Sequence, residues 1–97
     1  MKQYEEMMAM VMSDNVTLAD WTEFRAYHES LPRSFSAEKL LAGEMPTEEE
    51  KQTFARRRND FVKAAHHVVS KLSEEDICQD VVLMLAYEEI HHPEMFS

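Results

Sequence analysis

An apolar run inside an acidic segment constrains the fold of this chain more than any other feature. Residues 72–97 contain seven acidic side chains and no Lys or Arg. Within that segment lies the uninterrupted run VVLMLAY at residues 81–87. A helix that is apolar around its whole circumference must be covered on more than one side. In a chain of 97 residues, that cover comes from a central position in a bundle or from a second molecule.

The composition predicts an all-α protein. A length of 97 residues fits a single helical domain at 1–97. One Gly and three Pro are very few helix breakers, and Glu, Lys, Met, Ala and Leu are abundant. The sequence therefore predicts a small compact bundle of four to five helices.

Charge and cysteine content limit the classes of partner and compartment. The formal net charge of −9 argues against direct nucleic-acid binding and favours a basic protein partner. The lone Cys78 is compatible with a reducing cytoplasm. The N-terminus lacks the pattern of a signal peptide, and the longest apolar run is too short to span a bilayer. We therefore expect a cytoplasmic protein that does not bind membranes.

Apolar periodicity predicts three helices in the first half of the chain. The first carries a stripe that begins at Tyr4, and residues 13–15 end it. The second starts at Thr17 with an acidic first turn and stops at Pro32. The third is short, with Ser36 as its cap and Gly43 as its end.

Two further helices are predicted to form a C-terminal antiparallel hairpin. Thr47 and Glu50 make a capping box that starts the fourth helix, which runs to about Lys71. A fifth helix over 74–91 follows, after a sharp turn at 72–73. If the two helices rise equally from that turn, facing residues have numbers that sum to roughly 145.

Arg58 is the most specific anomaly in this hairpin. It lies in the apolar stripe of the fourth helix, between Phe54 and Phe61. A buried charge needs a partner, and the hairpin arithmetic places Glu88 level with Arg58. The sequence therefore predicts a structural Arg58–Glu88 ion pair, with a guanidinium that reaches solvent as the alternative.

The histidines invite a metal hypothesis that their spacing does not support. His66 and His67 are separated by several helical turns from His91 and His92. A pairing of Cys78 with one histidine supplies only two ligands, which do not hold zinc firmly. His28 is predicted to be a core histidine with a hydrogen-bond partner. No nucleophile–base arrangement or glycine-rich loop can be recognised, so we expect no enzyme activity, metal or cofactor.

The fifth helix has a second apolar side that is the best-located candidate for function. It lies opposite the stripe of Ile77, Val81, Met84 and Leu85, and it needs either the other helices or a partner to cover it. The predicted partner-binding residues combine this side with neighbouring carboxylates: Leu83, Ala86, Tyr87, Ile90, Glu74, Glu75, Asp80 and Glu89.

The favoured function is a non-enzymatic regulator or inhibitor that engages a basic protein through an acidic helical surface. Small proteins of phages and other mobile elements share this composition, which is an analogy only. A secretion-type chaperone or accessory subunit and a DNA mimic are alternatives. Nucleic-acid binding through Arg56, Arg57 and Arg58 is a further alternative, although these side chains point about 100° apart around the helix. A homodimer through the second apolar side also remains open.

Overall fold

Helices make up the regular structure of this protein. The computed structural model describes residues 3–31 and 37–95, and every regular element within them is helical. The α-helices are, in chain order, α1 (Tyr4–Val11), α2 (Leu18–Ser30), α3 (Ala37–Leu41), α4 (Glu48–Lys71), α5 (Glu74–Ile77) and α6 (Val81–His91), and a short 3-10 helix follows at Pro93–Met95. The predicted all-α helical bundle is confirmed.

Capping boxes start α2 and α4 at the predicted residues. The Asp20 backbone N–H donates to the Thr17 hydroxyl at 3.2 Å, and the Thr17 N–H donates to the Asp20 carboxylate at 3.0 Å. Thr47 and Glu50 make the same reciprocal pair at the start of α4. The backbone hydrogen bond from Thr47 lowers the pKa of the Glu50 carboxyl. Pro32 and Ser36, the predicted stop and cap, lie outside the described residues.

Gly43 ends α3 in the conformation that favours glycine. Its φ is 84°, in the left-handed region. The Gly43 N–H donates to the Leu40 carbonyl at 3.1 Å, and the Glu44 N–H donates to the Lys39 carbonyl at 2.9 Å. These two bonds form a Schellman motif, which satisfies carbonyl groups at the end of the helix.

The core lies where α1 and α2 pack across the antiparallel pair of α4 and α6. Trp21 and Phe24 of α2 are its largest members, and both have no exposed surface. Phe61 of α4 packs against them, with ring centroids 5.4 Å from Trp21 and 6.0 Å from Phe24. The other buried residues are Met7, Val11, Val16, Ala64, Ala65, Val68, Val69, Ile77, Leu83 and Ala86.

The molecule is flat, which limits how much of each helix is covered. Its principal extents are 44 × 38 × 19 Å. The short dimension is about two helix diameters, so the molecule is about two helix layers thick. Each helix therefore has one side at the surface. None of the helices in residues 3–31 and 37–95 combines the length and apolarity needed to cross a bilayer.

Candidate protein-binding surface

Leu83 and Ala86 face the core rather than a partner. Leu83 is 0 % exposed and Ala86 is 5 % exposed. Both were named as candidate partner-binding residues, on a side of the helix for which the sequence left open whether the bundle or a partner covers it. Burial makes them inaccessible in the folded chain, so they are removed from the candidate surface. Ile90 belongs to the same side but lies near the end of α6 and is exposed.

A break between α5 and α6 replaces the single helix that was predicted over 74–91. The helix stops at Ile77 and restarts at Val81. Asp80 caps the restart, because its carboxylate accepts hydrogen bonds from the backbone N–H groups of Val82 at 2.9 Å and Leu83 at 3.1 Å. An Asp directly before an apolar run is a recognised start signal, and the apolar stripe that runs on from Ile77 concealed it.

The break also moves α6 along α4. His66 Nε2 lies 3.5 Å from the Glu89 carboxylate, so these two residues face each other. Their numbers sum to 155, whereas an unbroken hairpin predicted that facing residues sum to roughly 145. Arg58 therefore lies beyond the end of α6 instead of level with Glu88. Both side chains are exposed, and Glu88 lies 3.9 Å from His92 Nε2. The predicted Arg58–Glu88 ion pair is wrong, because it assumed an unbroken second helix.

The side of α6 that was predicted to face inward is the side at the surface. Val81 is 66 % exposed, Leu85 54 % and Met84 38 %. With Glu88, which is also exposed, they follow the three- and four-residue spacing of one helical face. We call Val81, Met84, Leu85 and Glu88 the outer face of α6. An exposed apolar surface of this kind marks an interaction site more often than a single exposed side chain does.

A groove between α5 and α6 borders the outer face. It has a volume of about 300 Å³, and its apolar lining comes from Ile77, Met84 and Tyr87. Cys78 also lines the groove and is exposed. Glu74 and Glu88 complete the lining and give it an acidic rim. We call this feature the α5–α6 groove.

Tyr87 is fixed in the groove by its hydroxyl. The Tyr87 O–H donates to the Glu74 carboxylate at 3.3 Å. The negative charge of Glu74 raises the pKa of the Tyr87 phenol, which is protonated and able to donate at neutral pH even without that shift. Glu74 and Tyr87 were both predicted as partner-binding residues, and the structure brings them together at one side of the groove.

Asp80 is structural. Besides capping α6, its carboxylate accepts a hydrogen bond from the guanidinium of Arg25 on α2, and its side chain is only 11 % exposed. Burial alone raises the pKa of Asp80, but hydrogen bonds from the Leu83 backbone and from Arg25 outweigh burial and lower it. The nearby indole of Trp21 also lowers the pKa of Asp80, although its Nε1 makes no hydrogen bond of normal geometry. Asp80 therefore links α2 to α6.

The two remaining predicted carboxylates lie on different sides. Glu75 is exposed on α5. Glu89 faces α4, where it approaches His66 at 3.5 Å. Only Glu74 among the predicted acidic residues lies against the apolar groove, and Glu88, predicted as an internal ion-pair member, joins it there.

The histidines are distributed among separate contacts. His67 Nε2 lies 2.9 Å from the Ser13 carbonyl oxygen, and the tilted rings of His91 and Tyr87 pack with their centroids 4.2 Å apart. His92 lies within 3.9 Å of carboxylates of Glu88 and Glu94. Within the described part of the chain, no group of three or more His, Cys, Asp or Glu could hold a metal ion.

His28 lies in an aromatic cluster at the junction of α1, α2 and α4. Its ring centroid is 4.6 Å from Phe24 and 5.5 Å from both Tyr4 and Phe61. Its Nε2 is buried without a hydrogen-bond partner, contrary to the predicted satisfied core histidine. Burial lowers the pKa of His28, against the opposing charge of Asp60. Histidine at this position therefore favours the neutral imidazole.

The lowered pKa of His28 predicts that acid destabilises the fold. An imidazole in the unfolded chain takes up a proton near pH 6.5, before the folded protein does. The contribution of His28 to stability is thus full above about pH 6.5 and is lost as the pH falls below that value. Denaturant titrations measure how much the free energy of unfolding falls from pH 7 to pH 5. This fall should be smaller in His28→Phe than in the wild type. Parallel losses in the two proteins would contradict this assignment.

Comparisons with protein-family models, curated proteins and solved structures found no match to this chain.

Proposed function

We propose that this chain is a non-enzymatic protein-binding regulator or inhibitor. Its binding site is the outer face of α6 together with the α5–α6 groove, and its partner presents a basic amphipathic helix. The observation that carries the proposal is the exposure of Val81, Met84 and Leu85 beside an apolar groove with carboxylates at its rim.

The apolar part of this surface supplies the affinity. Leu85 and Val81 are more than half exposed, although Leu83 and Ala86 of the same run are buried. Covering such side chains gains roughly 25 cal/mol for each Å² of apolar surface removed from water. The spacing of Val81, Met84, Leu85 and Glu88 is suited to a second helix, which docks through residues at three- and four-residue steps.

The acidic rim selects the charge of the partner. Glu74 and Glu88 line the groove, and no Lys or Arg occurs in residues 72–97. A partner helix with Lys or Arg beside its apolar positions gains complementary contacts, and complementary charge raises the rate of association. Two copies that met through this same face would bring like charges together, which disfavours that symmetric pairing.

A synthetic helical peptide tests the proposal. The probe has Leu at three- and four-residue steps flanked by Lys, and its counterpart has Glu in place of Lys. We expect the basic peptide to bind in isothermal titration calorimetry and the acidic peptide not to bind. Leu85→Glu should weaken binding at least tenfold, which corresponds to about 1.4 kcal/mol.

Leu41→Glu is the matched control for that experiment. Leu41 is an exposed leucine on α3, far along the chain from the proposed surface, and it is 89 % exposed. The same substitution there should leave peptide affinity within twofold of the wild type. Equal weakening by both substitutions, or no binding of the basic peptide, would overturn the proposed site.

DNA mimicry has less support than protein binding. A mimic needs a continuous exposed track of carboxylates, whereas Asp80 is occupied by Arg25 and by the cap of α6. Glu89 approaches His66 on another side. A chaperone or accessory subunit would use the same apolar surface as a regulator, and the identity of the partner distinguishes these roles.

A further inference from the structure

We infer that a cleft between α4 and the end of α6 binds a small phosphate monoester that also carries hydroxyl groups, which is the chemistry of a sugar phosphate or a nucleotide. The cleft has a volume of about 580 Å³, within the range of about 300–1,000 Å³ that is typical of ligand pockets. We call it the α4 cleft, and its lining residues are Arg58, Asn59, Val62, Lys63, His66 and Glu89. These residues lie outside both the α5–α6 groove and the outer face of α6, so the inference goes beyond the proposed function.

One wall of the α4 cleft comes from a single side of α4. At about 100° per residue, the lining positions between residues 58 and 66 fall within about 140° of the helix circumference. Arg58, Asn59 and Lys63 are exposed, and Val62 is 40 % exposed. This wall therefore offers two cations, an amide and an apolar patch to the same ligand.

The two cations of this wall keep their charge available to a ligand. Within the described part of the chain, no carboxylate forms an ion pair with Arg58 or Lys63. The positions four residues before and after each cation, where a helical ion-pair partner would lie, include no carboxylate. Asp60 is the only acidic residue in 51–66, and its carboxylate accepts a hydrogen bond from the Tyr4 hydroxyl at 2.6 Å. An anion therefore meets both cations without first breaking a salt bridge.

Arg58 and Lys63 together favour a phosphate over a carboxylate. A phosphate monoester carries about −1.5 to −2 charges at neutral pH, whereas a carboxylate carries a single charge. The planar guanidinium of arginine binds two phosphate oxygens at once, and the lysine ammonium supplies a compact charge beside it. The formal charge of −9 opposes the approach of an anion, but salt screens charges beyond about 8 Å, so the nearest cations dominate at physiological ionic strength.

Glu89 of α6 gives the opposite wall a negative charge. Its carboxylate lies 3.5 Å from His66 Nε2, and its side chain is 49 % exposed. This wall repels a second anionic group, but a carboxylate accepts hydrogen bonds from hydroxyl groups, as carboxylates do from ribose in dinucleotide-binding proteins. The α4 cleft therefore favours a ligand with a phosphate at one end and hydroxyl groups at the other.

Amide NMR titrations with ribose 5-phosphate test the inference. We expect the signals of Asn59 and His66 to shift, with a Kd below about 1 mM and tighter than that of inorganic phosphate. Ribose alone should not bind, because it lacks the phosphate. Adenosine 5′-monophosphate distinguishes the two sources of this chemistry: binding tighter than that of ribose 5-phosphate identifies a nucleotide, and weaker or equal binding identifies a sugar phosphate.

Lys63→Gln and Lys71→Gln make the same change inside and outside the α4 cleft. Lys71 is the last residue of α4, where it lies 3.6 Å from Asp14. Lys63→Gln and Arg58→Gln should each weaken binding of ribose 5-phosphate at least about tenfold, the effect of losing one charged hydrogen bond. Lys71→Gln should leave the affinity within about twofold of the wild type, because its charge is distant and screened.

Glu89→Met tests the end of the cleft that receives the hydroxyl groups. The substitution removes both the acceptor and the negative charge, so inorganic phosphate should bind more tightly while ribose 5-phosphate loses its advantage over inorganic phosphate. All four substituted positions are exposed, so the dispersion of the amide spectrum should match that of the wild type. Failure of ribose 5-phosphate to bind, equal binding of ribose, equal weakening by Lys63→Gln and Lys71→Gln, or an unchanged preference in Glu89→Met would each overturn the inference.

Discussion

Leu83→Glu is expected to unfold the protein. The Leu83 side chain has no exposed surface and lies among the core residues of the bundle. A carboxylate at this position is buried without a partner, which costs on the order of 4 kcal/mol or more. Domains of this size are stable by only about 5–15 kcal/mol. Circular dichroism should show loss of helicity or a broad melting transition at a much lower temperature.

Leu85→Glu is the matched control, because it makes the same change two residues away on the opposite side of α6. Leu85 is more than half exposed, so its substitution should change the free energy of unfolding by no more than about 0.5 kcal/mol. The contrast between the two variants determines the orientation of α6. Equal destabilisation, or a larger loss at Leu85, would mean that the helix is rotated from the orientation described here.

Asp80→Ala is expected to cause the second largest loss of stability, of roughly 2–3 kcal/mol. The substitution removes the cap that satisfies the Val82 and Leu83 backbone N–H groups, which contributes about 1 kcal/mol. It also removes the closer of the two carboxylates that contact the partly buried Arg25 within the described residues, the other being Glu29 at 3.8 Å. Chemical denaturation at neutral pH measures the loss directly.

Asp80→Asn separates the two contributions of Asp80. Asparagine is a good helix cap, so this variant should keep the start of α6 and lose the charge pair with Arg25. It should therefore be destabilised less than Asp80→Ala. Asp14→Ala is the exposed control: Asp14 lies 3.6 Å from Lys71 at the surface, and removing it should cost less than about 0.5 kcal/mol. A loss at Asp80 no larger than that at Asp14 would contradict the structural role.

Local signals in the sequence predicted most of the helical boundaries. The start of α2 at Thr17, the Thr47 capping box and the Gly43 end depend only on residues within one turn, and they appear where predicted. The orientation of α6 could not be predicted in the same way. Its run is apolar on all sides, so periodicity alone gave no preferred inner face, and the choice depended on the assumption of one continuous helix from residue 74.

Three residues account for the difference between the predicted binding surface and the surface found in the structure. Cys78, Gln79 and Asp80 form the break that rotates and shifts α6 relative to that assumption. Consequently Leu83 and Ala86 moved from the predicted surface into the core, while Val81 and Leu85 moved outward. The predicted chemistry of the surface, apolar side chains beside carboxylates, remains the basis of the proposal, although the face that carries it is the opposite one.

Alkylation of Cys78 is the measurement that tests the proposed surface most directly. Cys78 is the only cysteine in the chain, is exposed, and lines the α5–α6 groove. Iodoacetamide should modify it readily in the free protein. A saturating concentration of the basic amphipathic peptide should slow this reaction at least tenfold, whereas the acidic counterpart should leave the rate unchanged. An unchanged rate at a peptide concentration where calorimetry shows full binding would place the interface elsewhere and contradict the proposal.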